Sequence, residues 1–263
     1  MAPLEEKHMV NDAFAQADER WLALMRSARQ WLDGPLGQLM IEEEERLLSE
    51  ELKRHFGGYL VHYGPSLKIP PGADQLRHGV RLGPPLPGVD IACEEGAWPL
   101  GENAADVVLL QHGLDFCLSP HRLLREAALS VRPGGHLLIL GINPWSTWGV
   151  RHYFARDAFR KARCIGASRV ADWLALLGFA LEKRRFGCYR PPLSSPVWQN
   201  RLSWLERNRE GEPSPGAGFY LLSARKLMVG LRPLPQTRRE PRGKLIPMPV
   251  AKVSRRETSG TNE

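Results

Sequence analysis

The sequence predicts an α/β domain, a mainly parallel sheet with helices on both faces. Two apolar runs, Asp106 to Leu110 and Leu137 to Gly141, have the near-continuous hydrophobicity of strands buried in parallel sheets. Between them, Ser119 is placed as an N-cap, Pro120 suits the first helical position, His121 to Leu129 continues the helix, and Gly134-Gly135 reads as the stop. Strand, helix, strand at this spacing is a right-handed crossover. A chain of 263 residues with 43% hydrophobic content is long enough for one such domain with terminal additions.

Residues from about 11 to 56 carry helical patterning: Phe14, Trp21, Leu24, Met25, Ala28, Trp31 and Leu32, then Leu36, Leu39 and Met40, then Leu47, Leu48 and Leu52 beside the acidic run Glu42 to Glu45. Two amphipathic helices therefore precede the first strand. Gly57-Gly58 punctuates the chain, and Tyr59 to Tyr63 reads as a strand ending at Gly64-Pro65. Short strands follow at Gly79 to Leu82 and Val89 to Ala92, ahead of the two buried runs. Further on, Ser168 to Leu177 is a helix closed by Gly178, with strands at Ala180 to Lys183 and Gly218 to Ala224. The intervening segment Gly187 to Pro215, with Pro191-Pro192 and a short helix over Val197 to Asn208, reads as an excursion over the surface. The expected division is N-terminal helices over 1–56 packing on the core, an α/β domain over 57–230, and a tail over 231–263.

The formal charge of +7 sits at the end of the chain. From Arg225 to Glu263 there are ten Lys/Arg and three Asp/Glu, so the preceding residues balance to zero. The tail, rich in Pro, Arg and Ser and poor in aromatics, is expected to be largely disordered. It permits weak electrostatic contact with RNA, DNA or acidic protein, because counterion release rewards clustered basic residues without any fold. Cys93, Cys117, Cys164 and Cys188 are widely spaced, with no zinc-ligand spacing and no disulfide framework, which fits a reducing cytoplasm. The longest apolar runs fall far below spanning length.

Asp90-Ile-Ala-Cys-Glu-Glu-Gly-Ala-Trp-Pro-Leu100, then Ala105-Asp-Val-Val-Leu-Leu-Gln-His-Gly-Leu-Asp-Phe116, then Leu124-Arg-Glu-Ala-Ala-Leu-Ser-Val-Arg-Pro-Gly-Gly-His-Leu-Leu-Ile-Leu-Gly141 follow one another in an order and spacing that resemble the class I methyltransferases, which use S-adenosylmethionine. With Asn143-Pro-Trp-Ser-Thr-Trp-Gly149 added, the chain resembles an uncharacterised bacterial subgroup of type 11 methyltransferase-like proteins. The resemblance implies a Rossmann-like, mainly parallel seven-stranded sheet, with ligands in the crevice beyond the carboxyl ends of the strands. It places Tyr63 and Gly64 under the methionine part of the cofactor, Glu94 and Glu95 at the adenine, and Gln111 and His112 at the end of the fourth strand. A solvated loop is an equal reading for the two glutamates, and a satisfied strand-end histidine for His112.

Methyl transfer is an in-line displacement that chiefly requires a well-held nucleophile, with a general base only where the acceptor must lose a proton. His112, Asp115 and His152 are the candidates at the crevice. Asn143, Trp145 and Trp148, with His152, are candidates for a wall or lid over the acceptor, the tryptophans reading equally as packing beneath Arg151 to Lys161. That segment interleaves basic and aromatic residues, which suits an anionic substrate or a solvated amphipathic helix.

The family's first loop usually reads Glu/Asp-x-Gly-x-Gly-x-Gly. Here it is His62-Tyr63-Gly64-Pro65, with one glycine and a proline that has no N–H to donate. The segment Arg77 to Pro85 lacks the acidic residue that grips the ribose. Two functions stay open: a methyltransferase with atypical cofactor contacts, and a non-catalytic methyltransferase-like module that binds or scaffolds. A dinucleotide or phosphate-loop enzyme is disfavoured, since neither glycine motif occurs.

Overall fold

A computed structural model describes residues 19–66, 70, 72–193, 196–202, 204–207 and 216–228. The expected tail and the beginning of the first helix, including Phe14, lie outside the described residues. Two helices come first, α1 (Glu19–Leu32) and α2 (Pro35–Leu52). Strands β1 (Gly57–Tyr63), β2 (Leu76–Gly83), β3 (Ile91–Ala92) and β4 (Ala105–Gln111) follow, then helix α3 (Pro120–Ser130) and strand β5 (Val131–Ile142). The chain continues through α4 (Thr147–Phe154), α5 (Ala167–Leu176), β6 (Phe179–Gly187), α6 (Pro196–Arg201), α7 (Trp204–Arg207) and β7 (Phe219–Lys226).

The seven strands form one sheet in the order β3-β2-β1-β4-β5-β7-β6, in which β7 alone runs antiparallel to its neighbours. Every residue of β4 is buried, as its unbroken apolar run requires of a central parallel strand. Helices α1 and α2 pack into the same core as the sheet. Trp21, Leu24, Met25, Ala28, Trp31 and Leu32 form the inner stripe of α1, and Leu36, Leu39, Met40, Leu47, Leu48 and Leu52 that of α2.

Several boundaries differ from the sequence reading, among them that β2 begins at Leu76 and β6 runs on to Gly187. Helix α3 stops at Ser130, because Val131 is already extended (φ −71°, ψ 131°) and Pro133 disfavours helix in the residue before it. Gly134, at φ +79°, therefore lies within β5, where the register with β4 shifts between Ala105 and Val107. Strand β3 shrinks to Ile91–Ala92. The Ser119 side chain makes no cap. Instead the Glu95 carboxylate accepts the N–H groups of Leu118 and Ser119 ahead of α3.

The amino end of the sheet is tied by Asp106. Its Oδ2 accepts the N–H groups of Gly58 (2.7 Å) and Tyr59 (2.9 Å), and its Oδ1 pairs with Arg132 Nη2 at 2.8 Å, so one side chain joins the starts of β1, β4 and β5. The approach explains Gly57, where a Cβ would lie 2.3 Å from Asp106 Cγ. Asp106→Ala strands two amide donors, and is expected to lower unfolding stability by about 2 kcal/mol in denaturant titration, with Asp106→Asn losing less. Equal stability of Asp106→Ala and native protein would refute the clamp.

Candidate active site

The chain leaves β1 toward β2 on one side and β4 toward β5 on the other, so the carboxyl ends of β1 and β4 flank the point where strand order reverses. Gly64 follows β1 and presses against β4: a Cβ there would come within 2.0 Å of the Gln111 carbonyl oxygen. Gly113 is also closely approached, its Cβ position lying 2.9 Å from the Tyr63 ring. Tyr63 is buried and stacks on Trp98 at 5.4 Å between centroids. Its hydroxyl faces the Trp21 indole, and Trp21 Nε1, Tyr63 Oη and Trp98 Nε1 are all buried without a formed hydrogen bond.

A chain of buried polar side chains crosses this edge. His62 Nε2 lies 3.1 Å from Gln111 Oε1, and Gln111 Nε2 donates to Glu44 Oε2 at 2.7 Å. Glu44 Oε1 meets His112 Nε2 at 2.5 Å, and His112 Nδ1 meets Asp115 Oδ2 at 2.9 Å. Asp115 Oδ2 also accepts the Ile142 N–H at 2.9 Å, which ties the chain to the end of β5. No member exceeds 2% exposure. Residue 112 sits in the left-handed region, at φ +54°, unusual for a residue with a Cβ. Because Gln111 Oε1 can only accept, His62 carries its proton on Nε2.

The two histidines differ in charge. Burial pushes His62 down to about 4, against the raising effect of its Gln111 hydrogen bond. Burial pushes His112 down too, but the carboxylates of Glu44 and Asp115, one on each ring nitrogen, outweigh it and hold the imidazolium up to about 10. Burial raises the Asp115 carboxyl, opposed by its His112 hydrogen bond.

The proposed site residues fall into distinct settings. Tyr63, Gly64, Gln111, His112 and Asp115 converge at the strand reversal. Glu95 is engaged with the chain ahead of α3, whereas Glu94 is exposed and lines a cavity of about 220 Å³ with Trp21, Ser119 and Arg122. Asn143 donates to the Ala217 carbonyl and accepts the Trp145 N–H. Trp145, 79% exposed, borders with Asn143 a separate cavity of about 660 Å³. Trp148 is fully buried, donates Nε1–H to the Arg190 carbonyl and packs on Trp31 and Phe159. His152 donates Nδ1–H to the Phe159 carbonyl.

Sequence reading missed Glu44, His62, Trp21 and Trp98 as site residues. Glu44 sits in the acidic run Glu42 to Glu45, beside the apolar residues of α2. It falls four residues after Met40 and four before Leu48, both buried, and that spacing was its signal.

Residues 71–139 match the methyltransferase domain family, a segment that begins beyond the Gly64 turn. The chain is 29% identical over 225 residues to the uncharacterised protein YafS of Escherichia coli K12, covering 81% of this chain and 87% of that one. Its fold is similar to a SAM-dependent methyltransferase of Thermotoga maritima described as a possible histamine N-methyltransferase, at 21% identity and TM-score 0.50 over 79% of this chain and 93% of that one. It is also similar to a chain from the Haloferax volcanii complex between the Trm112 methyltransferase activator and a methyltransferase, at 15% identity and TM-score 0.53 over 76% and 97%. The architecture is the Rossmann-like fold of class I S-adenosylmethionine-dependent methyltransferases. Among the described residues no helix is long and apolar enough to cross a membrane.

His112 supplies a pH test. Its folded form holds a proton more tightly than an unfolded histidine near 6.5. The stabilisation is therefore fully present below that pH and is lost as pH rises through about 10. An NMR titration of the His112 ring is expected to show a midpoint about 10 in the native protein and well below that in Glu44→Gln. A native midpoint near 6.5 would overturn the charge assignment.

Proposed function

We propose that this chain, a class I methyltransferase by fold, is an S-adenosylmethionine-dependent methyltransferase whose cofactor crevice stands closed in the described conformation. One observation carries the reading: a glycine turn and a polar strand end, Gly64 against Gln111-His112, sit at the strand reversal where this architecture binds its ligands.

The residues as arranged do not fit the whole cofactor. Glu44 covers Gln111 and His112, and Glu95 is taken up by the backbone ahead of α3. Strand β2 ends at Leu82-Gly83-Pro84 without a carboxylate, and Asp90 nearby is engaged by Arg81 at 2.8 Å. The cavity beside Glu94, about 220 Å³, falls below the roughly 300–1,000 Å³ usual for small-molecule sites. Entry of the cofactor therefore requires the Glu44 side chain to leave Gln111 and His112 at the end of β4. Glu94, with Trp21, Ser119 and Arg122, lines the side that remains open.

The Glu44 contact also favours a second reading, a methyltransferase-like module that has replaced its cofactor by an internal carboxylate and serves to bind or scaffold. Calorimetric titration with S-adenosylmethionine and S-adenosylhomocysteine separates the two. The enzyme reading expects weak binding by native protein and binding at least tenfold tighter by Glu44→Gln, with Glu94→Ala at least tenfold weaker than native. If neither native protein nor folded Glu44→Gln binds at millimolar ligand, the methyltransferase reading falls and the second stands.

A further inference from the structure

A cavity of about 610 Å³ opens between the turn joining α1 to α2 and the segment after α4. Its apolar wall is Trp31, Pro35 and Leu36, and its opposite wall carries Arg151, Arg156 and Lys161 with one acid, Asp157. That acid is spent: Asp157 Oδ2 pairs with Arg151 Nη2 at 2.9 Å, while Oδ1 accepts the Phe159 N–H. Arg156 and Lys161 are exposed at the rim and make no ion pair among the described residues. The apolar wall is firmly backed, since Trp31 packs on Phe159 at 4.8 Å and edge-on against Trp148 at 6.4 Å.

Two cations that make no ion pair among the described residues, lining one concave space with Trp31, Pro35 and Leu36, are matched by one kind of guest. We propose that this cavity binds a small organic anion, a phosphate or carboxylate joined to a flat apolar body. The anion pairs with Arg156 and Lys161, and the apolar body lies along Trp31 and Leu36. Guanidinium and ammonium groups suit phosphate and carboxylate oxygens, and the wall supplies apolar contact that a free inorganic ion cannot use. The binding claim stands without the methyltransferase reading. Only the further assignment of this guest as the methyl acceptor rests on that reading, and it draws on the cavity's position beside α4, which follows the carboxyl end of β5.

The test uses phenyl phosphate, inorganic phosphate and benzyl alcohol, titrated calorimetrically into the full chain with no cofactor present. Phenyl phosphate is expected to bind at least tenfold more tightly than either of the others. The double variant Arg156→Glu/Lys161→Glu should lose at least tenfold in phenyl phosphate affinity. Arg169→Glu/Arg184→Glu, which alters the separate cavity beside Trp145, should leave it within twofold. Thermal melts confirm that both variants fold, and milder Arg156→Gln/Lys161→Gln serves if the reversal does not. Absence of phenyl phosphate binding, affinity no better than inorganic phosphate, or equal loss in the two double variants overturns the proposal. Because cofactor is absent, failure here is independent of failure to bind S-adenosylmethionine.

Discussion

Glu44 and His112 meet 2.5 Å apart in the interior, and the carboxyl edge of the molecule is arranged around that contact. Removing a carboxylate and an imidazolium from water costs several kcal/mol each. The arrangement offsets that cost by satisfying both partners further, with Gln111 donating to the second Glu44 oxygen and Asp115 on the second ring nitrogen. Such a pair adds little net stability over apolar side chains of the same volume, but severing one half is expensive. Its consequence is positional. It fixes α2 across the ends of β1 and β4, and α2 in turn places the α1 residues Trp21 beside Tyr63 and Trp31 against Trp148 and Phe159.

The central strand β4 is thus held by a carboxylate at each end, with opposite effects. At the amino end Asp106 is supplied by the strand itself and grips backbone amides, so it joins strands to one another. At the carboxyl end Glu44 comes from 67 residues earlier in the chain and grips side chains, so it joins a helix to the sheet. The first kind of contact belongs to the sheet and persists whatever the crevice does. The second can be exchanged for another partner, and a crevice meant to admit a ligand needs contacts of that kind.

The sheet was legible because period and punctuation agree. The apolar runs of β4 and β5, the Pro120 start of α3 and the Gly178 stop of α5 each carry a local physical reason visible in the residues. Boundaries shifted where two local signals compete, as where Pro133 ends α3 before Gly134-Gly135 can. The convergence of Gly64, Gln111 and His112 was legible through the resemblance, which names strand ends. What the sequence hides is occupancy. The Met40–Glu44–Leu48 spacing marks which carboxylate turns inward, but that it meets Gln111 and His112 depends on contacts 67 and 68 residues apart. Trp148 shows the same limit, since its burial follows from Trp31 and from Arg190, 42 residues on.

The two proposals meet in one element. The turn that walls the 610 Å³ cavity leads directly into α2, the helix that carries Glu44. If α2 shifts as a body when Glu44 leaves His112, Leu36 at its start shifts relative to Arg156 and Lys161. A ligand shifts a conformational equilibrium only by its difference in affinity for the two states. A guest touching both Leu36 and the segment after α4 would then bind the two arrangements with different affinity. Linkage then makes the effect mutual: whatever the cavity's guest does to cofactor affinity, the cofactor does to the guest's. Glu44 is where such an exchange would begin, because it is the α2 side chain that holds Gln111 and His112.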